Sequence, residues 1–90
     1  MKPFRWKPEK NEWLKLNRKI CFEDVAFFIE NGDILDDFEH PNQEKYKGQR
    51  VIIIEINNYV FMVPYLENDD FIELKTIIPS RKFTKKYLGG

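Results

Sequence analysis

The sequence predicts an α+β domain, with two N-terminal helices packed on one face of a mostly antiparallel β-sheet. Three observations carry that prediction. Two early segments, Glu9 to Arg18 and Phe22 to Ile29, space their apolar residues as helices do. Arg50 to Ile56 and Tyr59 to Leu66 are rich in β-branched and aromatic residues and flank Asn57-Asn58, a pair that tolerates the positive φ of a tight hairpin. Phe71 to Ile78 then adds a further strand after the polar turn Glu67 to Asp70. The 90 residues suffice for one domain, 1–90, with a modest core.

Taken in order, Phe4 and Trp6 alternate with polar residues, which predicts a short first strand over Lys2 to Lys7. Pro8 suits the first turn of a helix, where its missing N–H does no harm, and Glu9 meets the positive end of the dipole. Trp13, Leu14 and Leu16 supply the apolar side of that helix, and Lys15, Arg18 and Lys19 complement its C-terminal end. Cys21 occupies the cap position of a second helix in place of Ser or Thr. Phe22, Val25, Phe28 and Ile29 form its buried side, and Asn31-Gly32 closes it. Asp33 to Phe38 predicts a short strand at a sheet edge, and Glu39 to Gly48 a polar loop containing His40-Pro41-Asn42. In Tyr59 to Leu66, Pro64 predicts a bulge or an unpaired ladder position. Ser80 can cap a final helical turn that reaches Tyr87, leaving Leu88 to Gly90 to fray.

Charge is zero in sum but sorted along the chain. The first twenty residues are mainly basic. Cys21 to Glu44 holds no Lys or Arg but includes Asp33, Asp36, Asp37 and Glu39. Beyond Lys75 the chain carries Arg81, Lys82, Lys85 and Lys86 with no acid. Such segregation suggests faces with different partners. Cys21 is the only cysteine, so no disulfide framework exists, which fits a reducing, cytoplasmic setting. No apolar run reaches membrane-spanning length, and no membrane association is expected.

One Cys and one His cannot build a structural zinc site, and Asp36 and Asp37 point to opposite faces of a strand, so no metal or cofactor is expected. There is no glycine-rich phosphate loop, and Ser80 lacks the partners of a hydrolase triad. What remains is basic and aromatic. Arg50, Arg81, Lys82, Lys85 and Lys86, with Trp6, Tyr46 and Tyr87, are the ingredients of a single-stranded RNA surface. Metal-free cleavage would need a cation for the phosphorane, suiting Arg81 and Arg50, and a proton carrier, suiting His40, Tyr87 or a lysine. Two blander readings stand beside these. The basic tail can be a solvated end that pairs with the acidic segment, and Trp6 and Trp13 can be core aromatics.

The stretch FRWKPEKNEWLKLNRKICFEDV resembles the opening of BrnT-type toxins of bacterial type II toxin–antitoxin modules. TIIPSRKFTKK is similar to that family's closing Ile-Ile-Ser-Ala-Arg-x-Ala-Thr, and DDFEHPNQEKYKGQRVIIIEI keeps the same order, with the family's loop histidine falling on His40. The resemblance spans nearly the whole chain. It implies a RelE-like ribonuclease fold, metal-independent mRNA cleavage that inhibits translation, and neutralisation by a cognate antitoxin, often of the ribbon-helix-helix type. Operator DNA would be bound only by the toxin–antitoxin complex. By position, Trp6, Arg50 and Arg81 match family residues. The family's Lys-His-Gly between the helices is Asn17-Arg18-Lys19 here, its serine cap is Cys21, and two of its arginines fall on Asn68 and Thr76.

The resulting expectation is a toxin endoribonuclease. Arg81, Arg50, His40 and Tyr87 are its catalytic candidates, Trp6, Lys82, Lys85 and Lys86 its RNA contacts, and Asp33, Asp36 and Asp37 its antitoxin contacts. The rival expectation is a non-catalytic RNA-, ribosome- or protein-binding module that retains the fold.

Overall fold

The computed structural model describes residues 2–89. It is an α+β fold with three helices and a six-stranded, mostly antiparallel sheet. In chain order the elements are β1 (Phe4–Arg5), α1 (Pro8–Arg18), α2 (Phe22–Glu30), β2 (Ile34–Glu39), β3 (Arg50–Ile56), β4 (Tyr59–Glu67), β5 (Ile72–Leu74), β6 (Ile78–Pro79) and α3 (Arg81–Leu88). The sheet runs β1-β5-β4-β3-β2, with β6 also paired to β4. Among the described residues, only β1 and β5 pair in parallel. Among the described residues, no helix is long and apolar enough to cross a membrane.

The β3–β4 hairpin is the frame. Asn57 and Asn58 both take positive φ (54° and 63°), which closes a two-residue turn and sets the register Ile56↔Tyr59 through Arg50↔Tyr65. Because side chains alternate along a strand, that register defines two faces. Ile52, Ile54, Ile56, Val63 and Tyr65 look one way. There they form a buried cluster with Leu14 of α1 and Phe22, Val25 and Ile29 of α2. Val51, Ile53 and Val60 look the other way and are covered by Phe83 and Tyr87 of α3, with Phe38 and Met62.

The expected single strand Phe71 to Ile78 is broken. Tyr65 pairs with Leu74 and Met62 with Ile78, so one extra residue lies on the later strand between those pairs. The break faces Pro64, which has no N–H to give to the ladder but accepts one from Lys75 at 2.8 Å. The extra residue restores Ile77 to the α1/α2 core and turns Ile78 to the α3 face. Ser80 then caps α3, its Oγ accepting the Phe83 N–H at 3.1 Å. The expected helical turn is thus an eight-residue helix, and it ends at Gly89 in the left-handed conformation, φ 68°. Leu88 belongs to the helix, while Gly90 lies outside the described residues.

The helix α1 departs from its expected pattern. Leu14 is fully buried, but Trp13 and Leu16 are 42% and 76% exposed. The inward stripe instead runs through Asn11 and Leu14, three residues apart, with half-buried Arg18 one turn beyond. Asn11 is nevertheless well placed. Its Oδ1 accepts the Phe22 N–H at 2.8 Å, and its Nδ2 donates to Glu23 at 2.8 Å. A residue of α1 therefore satisfies the first N–H of α2, while the Cys21 side chain makes no cap hydrogen bond. That bond from Asn11 also holds the Glu23 carboxyl below its ordinary range.

Candidate nucleic-acid interface

The helix α3 presents Arg81, Lys82, Lys85 and Lys86, and none of the four has an ion-pair or side-chain hydrogen-bond partner among the described residues. The helix is held to the sheet by its other residues. Phe83 packs near Phe38 and Tyr87, and the Thr84 hydroxyl accepts the Val60 N–H at 2.9 Å while donating to the Ser80 carbonyl. Lys86 lies over the rings of Phe83 and Tyr87, and Lys82 over Phe83. The aromatic residues anchor the helix and steer the cations outward.

Beside this helix, on the same face of the sheet, lies a cleft of about 300 Å³ lined by His40, Tyr46, Gln49, Pro64, Lys75, Thr76 and Ile78. The polar loop between β2 and β3 builds one wall and is heavily cross-bonded. Gln43 donates to the carbonyls of His40 and Gln49 and accepts the Gly48 N–H, and Asn42 accepts the N–H groups of Lys45 and Tyr46. Gly48 takes φ 77°, a conformation that favours glycine. The result sets the His40 and Tyr46 rings 4.4 Å apart, tilted 33°. The Nδ1 of His40 accepts the Asn42 N–H at 3.1 Å, so the proton of the neutral imidazole sits on Nε2. The bulged segment Lys75 to Ile78 builds the opposite wall, with Lys75 paired to Glu73 at 3.3 Å.

Arg50 lies elsewhere. It stands opposite Tyr65 on the α1/α2 face, where its Nε donates to Asp37 at 3.1 Å. The Tyr65 hydroxyl donates to the same carboxylate, 2.7 and 2.9 Å from its two oxygens. Tyr65 and Asp37 favour the charged guanidinium, and burial, followed by Asp37, pushes the Tyr65 hydroxyl up to about 12. Arg81 follows Pro79, which pairs with Phe61, near the other end of the hairpin. Five residue steps along β3, from Arg50 to Glu55, separate the Arg50 row from the Val60 row, roughly 17 Å at the usual strand rise. Arg50 and Arg81 are therefore not brought together. Trp6 is also on the α1/α2 side, stacked on Phe22 at 5.6 Å with its ring half-buried against that core.

The acidic candidates divide as well. Asp33 is exposed at the start of the β2 edge. Asp36 is exposed on the α3 face, where Tyr87 donates to it at 3.3 Å. Partial burial and the Asp36 carboxylate push the Tyr87 hydroxyl up, which makes it a weaker acid. Asp37 is engaged by Arg50 and Tyr65. Arg18 donates to the Ile77 carbonyl and lies 5.0 Å from the Trp13 ring centre. No group of three or more metal-ligating side chains occurs among the described residues.

Three features of this surface were missed in the sequence: Gln49, Pro64 and the alignment of Tyr46 with His40. The first and last depend on how the loop folds back on itself, and short-range patterns carry no signal for that. Tyr65 was read only as a strand residue, although its register opposite Arg50 follows once the Asn57-Asn58 hairpin is drawn. No family model, no curated protein and no solved structure matches the chain.

Proposed function

We propose that the chain is the toxin of a type II toxin–antitoxin module, a metal-independent endoribonuclease that binds single-stranded RNA along α3 and the adjoining cleft. The proposal takes the α+β architecture as RelE-like, with α1 and α2 on one face of the sheet. One observation carries the RNA reading: four cations of α3, with no ion-pair partner among the described residues, share a sheet face with a cleft walled by two aromatic rings. Cations neutralise phosphates and aromatic faces stack unpaired bases, so the pairing suits a flexible single strand better than a small anion. The ordered resemblance to BrnT-type toxins supports the same reading.

In the proposed reaction the RNA 2′-oxygen attacks the adjacent phosphorus. The O2′–P bond forms, the P–O5′ bond breaks, and the products carry a 2′,3′-cyclic phosphate and a 5′-hydroxyl. Arg81 stabilises the phosphorane charge and Lys82, Lys85 and Lys86 hold flanking phosphates, while His40, beside Gln49 at the Arg50 end of the hairpin, donates a hydrogen bond through Nε2 to a neighbouring nucleotide in the cleft and not at the Arg81 phosphate. Water accepts the 2′-proton and protonates the leaving oxygen. A cytoplasmic antitoxin of ribbon-helix-helix type meets Asp33 and Asp36 on the exposed β2 edge with its basic groups. Asp37 contributes less directly, through its hold on Arg50. Operator DNA is reached only through that complex.

A second reading, a binding module without catalysis, is favoured by a specific observation. Arg50 is neutralised on the far face, and His40 must give up its Asn42 bond before Nε2 can accept a proton. One experiment separates the two. Purified protein is incubated with total RNA in EDTA beside Arg81→Ala, with and without the cognate antitoxin. The enzyme reading expects EDTA-resistant fragments ending in cyclic phosphate from wild type alone, suppressed by the antitoxin. Binding without fragments establishes the second reading instead.

A further inference from the structure

We propose that the cleft between the His40–Tyr46 ring pair and the bulged Lys75–Ile78 segment takes one unpaired base of single-stranded RNA, making Tyr46 and Gln49 specificity-determining residues. This rests on the RNA reading above and adds where a base, rather than a phosphate, is held.

Four features of the cleft point to a base. Its volume, about 300 Å³, lies at the low end of ligand pockets, which suits a single nucleotide and excludes a folded polymer. Its lining is chemically divided, the loop contributing the rings of His40 and Tyr46 and the strands contributing Pro64 and Ile78. An aromatic heterocycle entering there meets apolar surface on both flanks. Gln49 and Thr76 line the same space, and neither side chain hydrogen-bonds to any described residue. Together they offer donors and acceptors to a base edge, as single-strand readers do. Finally, the ring wall is pre-organised by the Gln43 and Asn42 bonds, so little ordering entropy remains to oppose binding.

The location also fits a continuing strand. Ile78 lines the cleft and Arg81 opens α3 three residues later, so their Cα atoms lie within about 11 Å. A nucleotide seated in the cleft therefore brings a neighbouring phosphate within reach of Arg81 or Lys82. The Lys75 charge is shared with Glu73, which makes the cleft itself less cationic than α3. That difference assigns base recognition to the cleft and phosphate binding to the helix.

His40 is the only histidine, so its imidazole resonances report on the cleft alone. The four ribonucleoside 3′-monophosphates and ribose 5-phosphate are titrated into isotope-labelled protein, and a six-nucleotide RNA is measured by fluorescence anisotropy. The proposal expects saturable His40 shifts with at least one nucleotide and none with ribose 5-phosphate. It expects Tyr46→Ala to weaken hexamer binding about 5- to 150-fold, the usual range for one lost stacking platform. Tyr46→Leu, which keeps the volume and removes the aromatic face, is expected to act the same way, guarding against a loop that simply collapses. Hexamer affinity that ignores both Tyr46 variants, yet falls when the α3 cations are removed, overturns the cleft proposal and leaves the RNA reading standing. Wild-type protein that binds no hexamer but shows nucleotide-specific His40 shifts does the reverse, retaining the cleft and overturning the RNA reading. The absence of any His40 shift also overturns the cleft proposal.

Discussion

Asp36 and Asp37 are neighbours on β2, yet they serve opposite faces of the sheet in different ways. Asp37 turns to the α1/α2 face, where Arg50 and the hydroxyl of Tyr65 both close on it. Asp36 turns to the α3 face, where Tyr87 is the one side chain among the described residues that donates to it, at 3.3 Å and in the open, beside the backbone N–H of Asp37 at 2.8 Å. The contrast extends beyond the pair. On the first face, polar and charged groups find partners within the chain: Asn11 with Phe22 and Glu23, Arg18 with Ile77, Arg50 with Asp37. On the second, four cations of α3 and the side chains of Gln49 and Thr76 have none among the described residues. Similar residue types stabilise the fold on one face and remain available for a ligand on the other. What distinguishes them is whether the chain itself supplies the partner.

The sharpest way to break this comparison is to remove Asn11. Its side chain is 4% exposed, and Asn11→Ala leaves the Phe22 N–H without an acceptor in a buried position. An orphaned buried donor together with the lost Glu23 bond costs about 2–3 kcal/mol. In a domain of this size that lowers the melting temperature by roughly 10–20 °C. Lys85→Ala on α3 is expected to stay within about 0.5 kcal/mol, as exposed substitutions do. Thermal and urea melts of the two variants check the asymmetry directly, and equal effects would remove it.

Much of the first face was legible in the sequence because its signals are local. Asn57-Asn58 announces the hairpin, the hairpin sets the register, and Phe22, Val25 and Ile29 mark the side of α2 that seeks it. Ser80 likewise announces α3. The role of Asn11 was not read, although a polar residue three before Leu14 on the inward stripe is a signal in itself. On the second face, a single inserted residue opposite Pro64 decides which way Ile77 and Ile78 point, and hence on which side of the sheet α3 begins. One-residue register changes invert faces without altering composition or periodicity, so the cleft beside α3 could not be drawn from pattern alone.

Alkaline pH probes the same contrast with a smaller effect. The Tyr65 hydroxyl ionises near 12 in the folded chain and near 10 when unfolded. Folding therefore favours its protonated form, and that contribution is complete below about pH 10 and disappears as pH rises toward 12. The two-unit displacement is moderated because Asp37 and Arg50 are partly open to solvent, which leaves about 1–2 kcal/mol. Stability measured by urea between pH 9 and 12 should fall less steeply for Tyr65→Phe than for wild type. Matching slopes would place Tyr65 and Asp37 with the weakly held Tyr87–Asp36 pair, and would weaken the distinction between the faces.

The smallest expected effect concerns how the two faces begin their helices. The helix α3 is capped from next door, by Ser80, whereas α2 borrows Asn11 from α1 and its own cap residue, Cys21, contributes no side-chain hydrogen bond. The borrowed bond reaches only the Phe22 N–H, so the next donors of the first turn stay open to a local acceptor. A serine in place of Cys21 has the backbone it needs, because Cys21 is already extended at φ −137° and ψ 159°. Cys21→Ser should therefore add about 0.5–1 kcal/mol, seen as a higher urea midpoint in reducing buffer. The same change made in Asn11→Ala sharpens the point. If the two acceptors serve different N–H groups, the gain is the same in both backgrounds and the effects add. A larger gain in the Asn11→Ala background would mean that the introduced hydroxyl can stand in for the long-range bond. The start of α2 would then depend on local sequence as that of α3 does, and this difference between the faces would reduce to Cys21 alone.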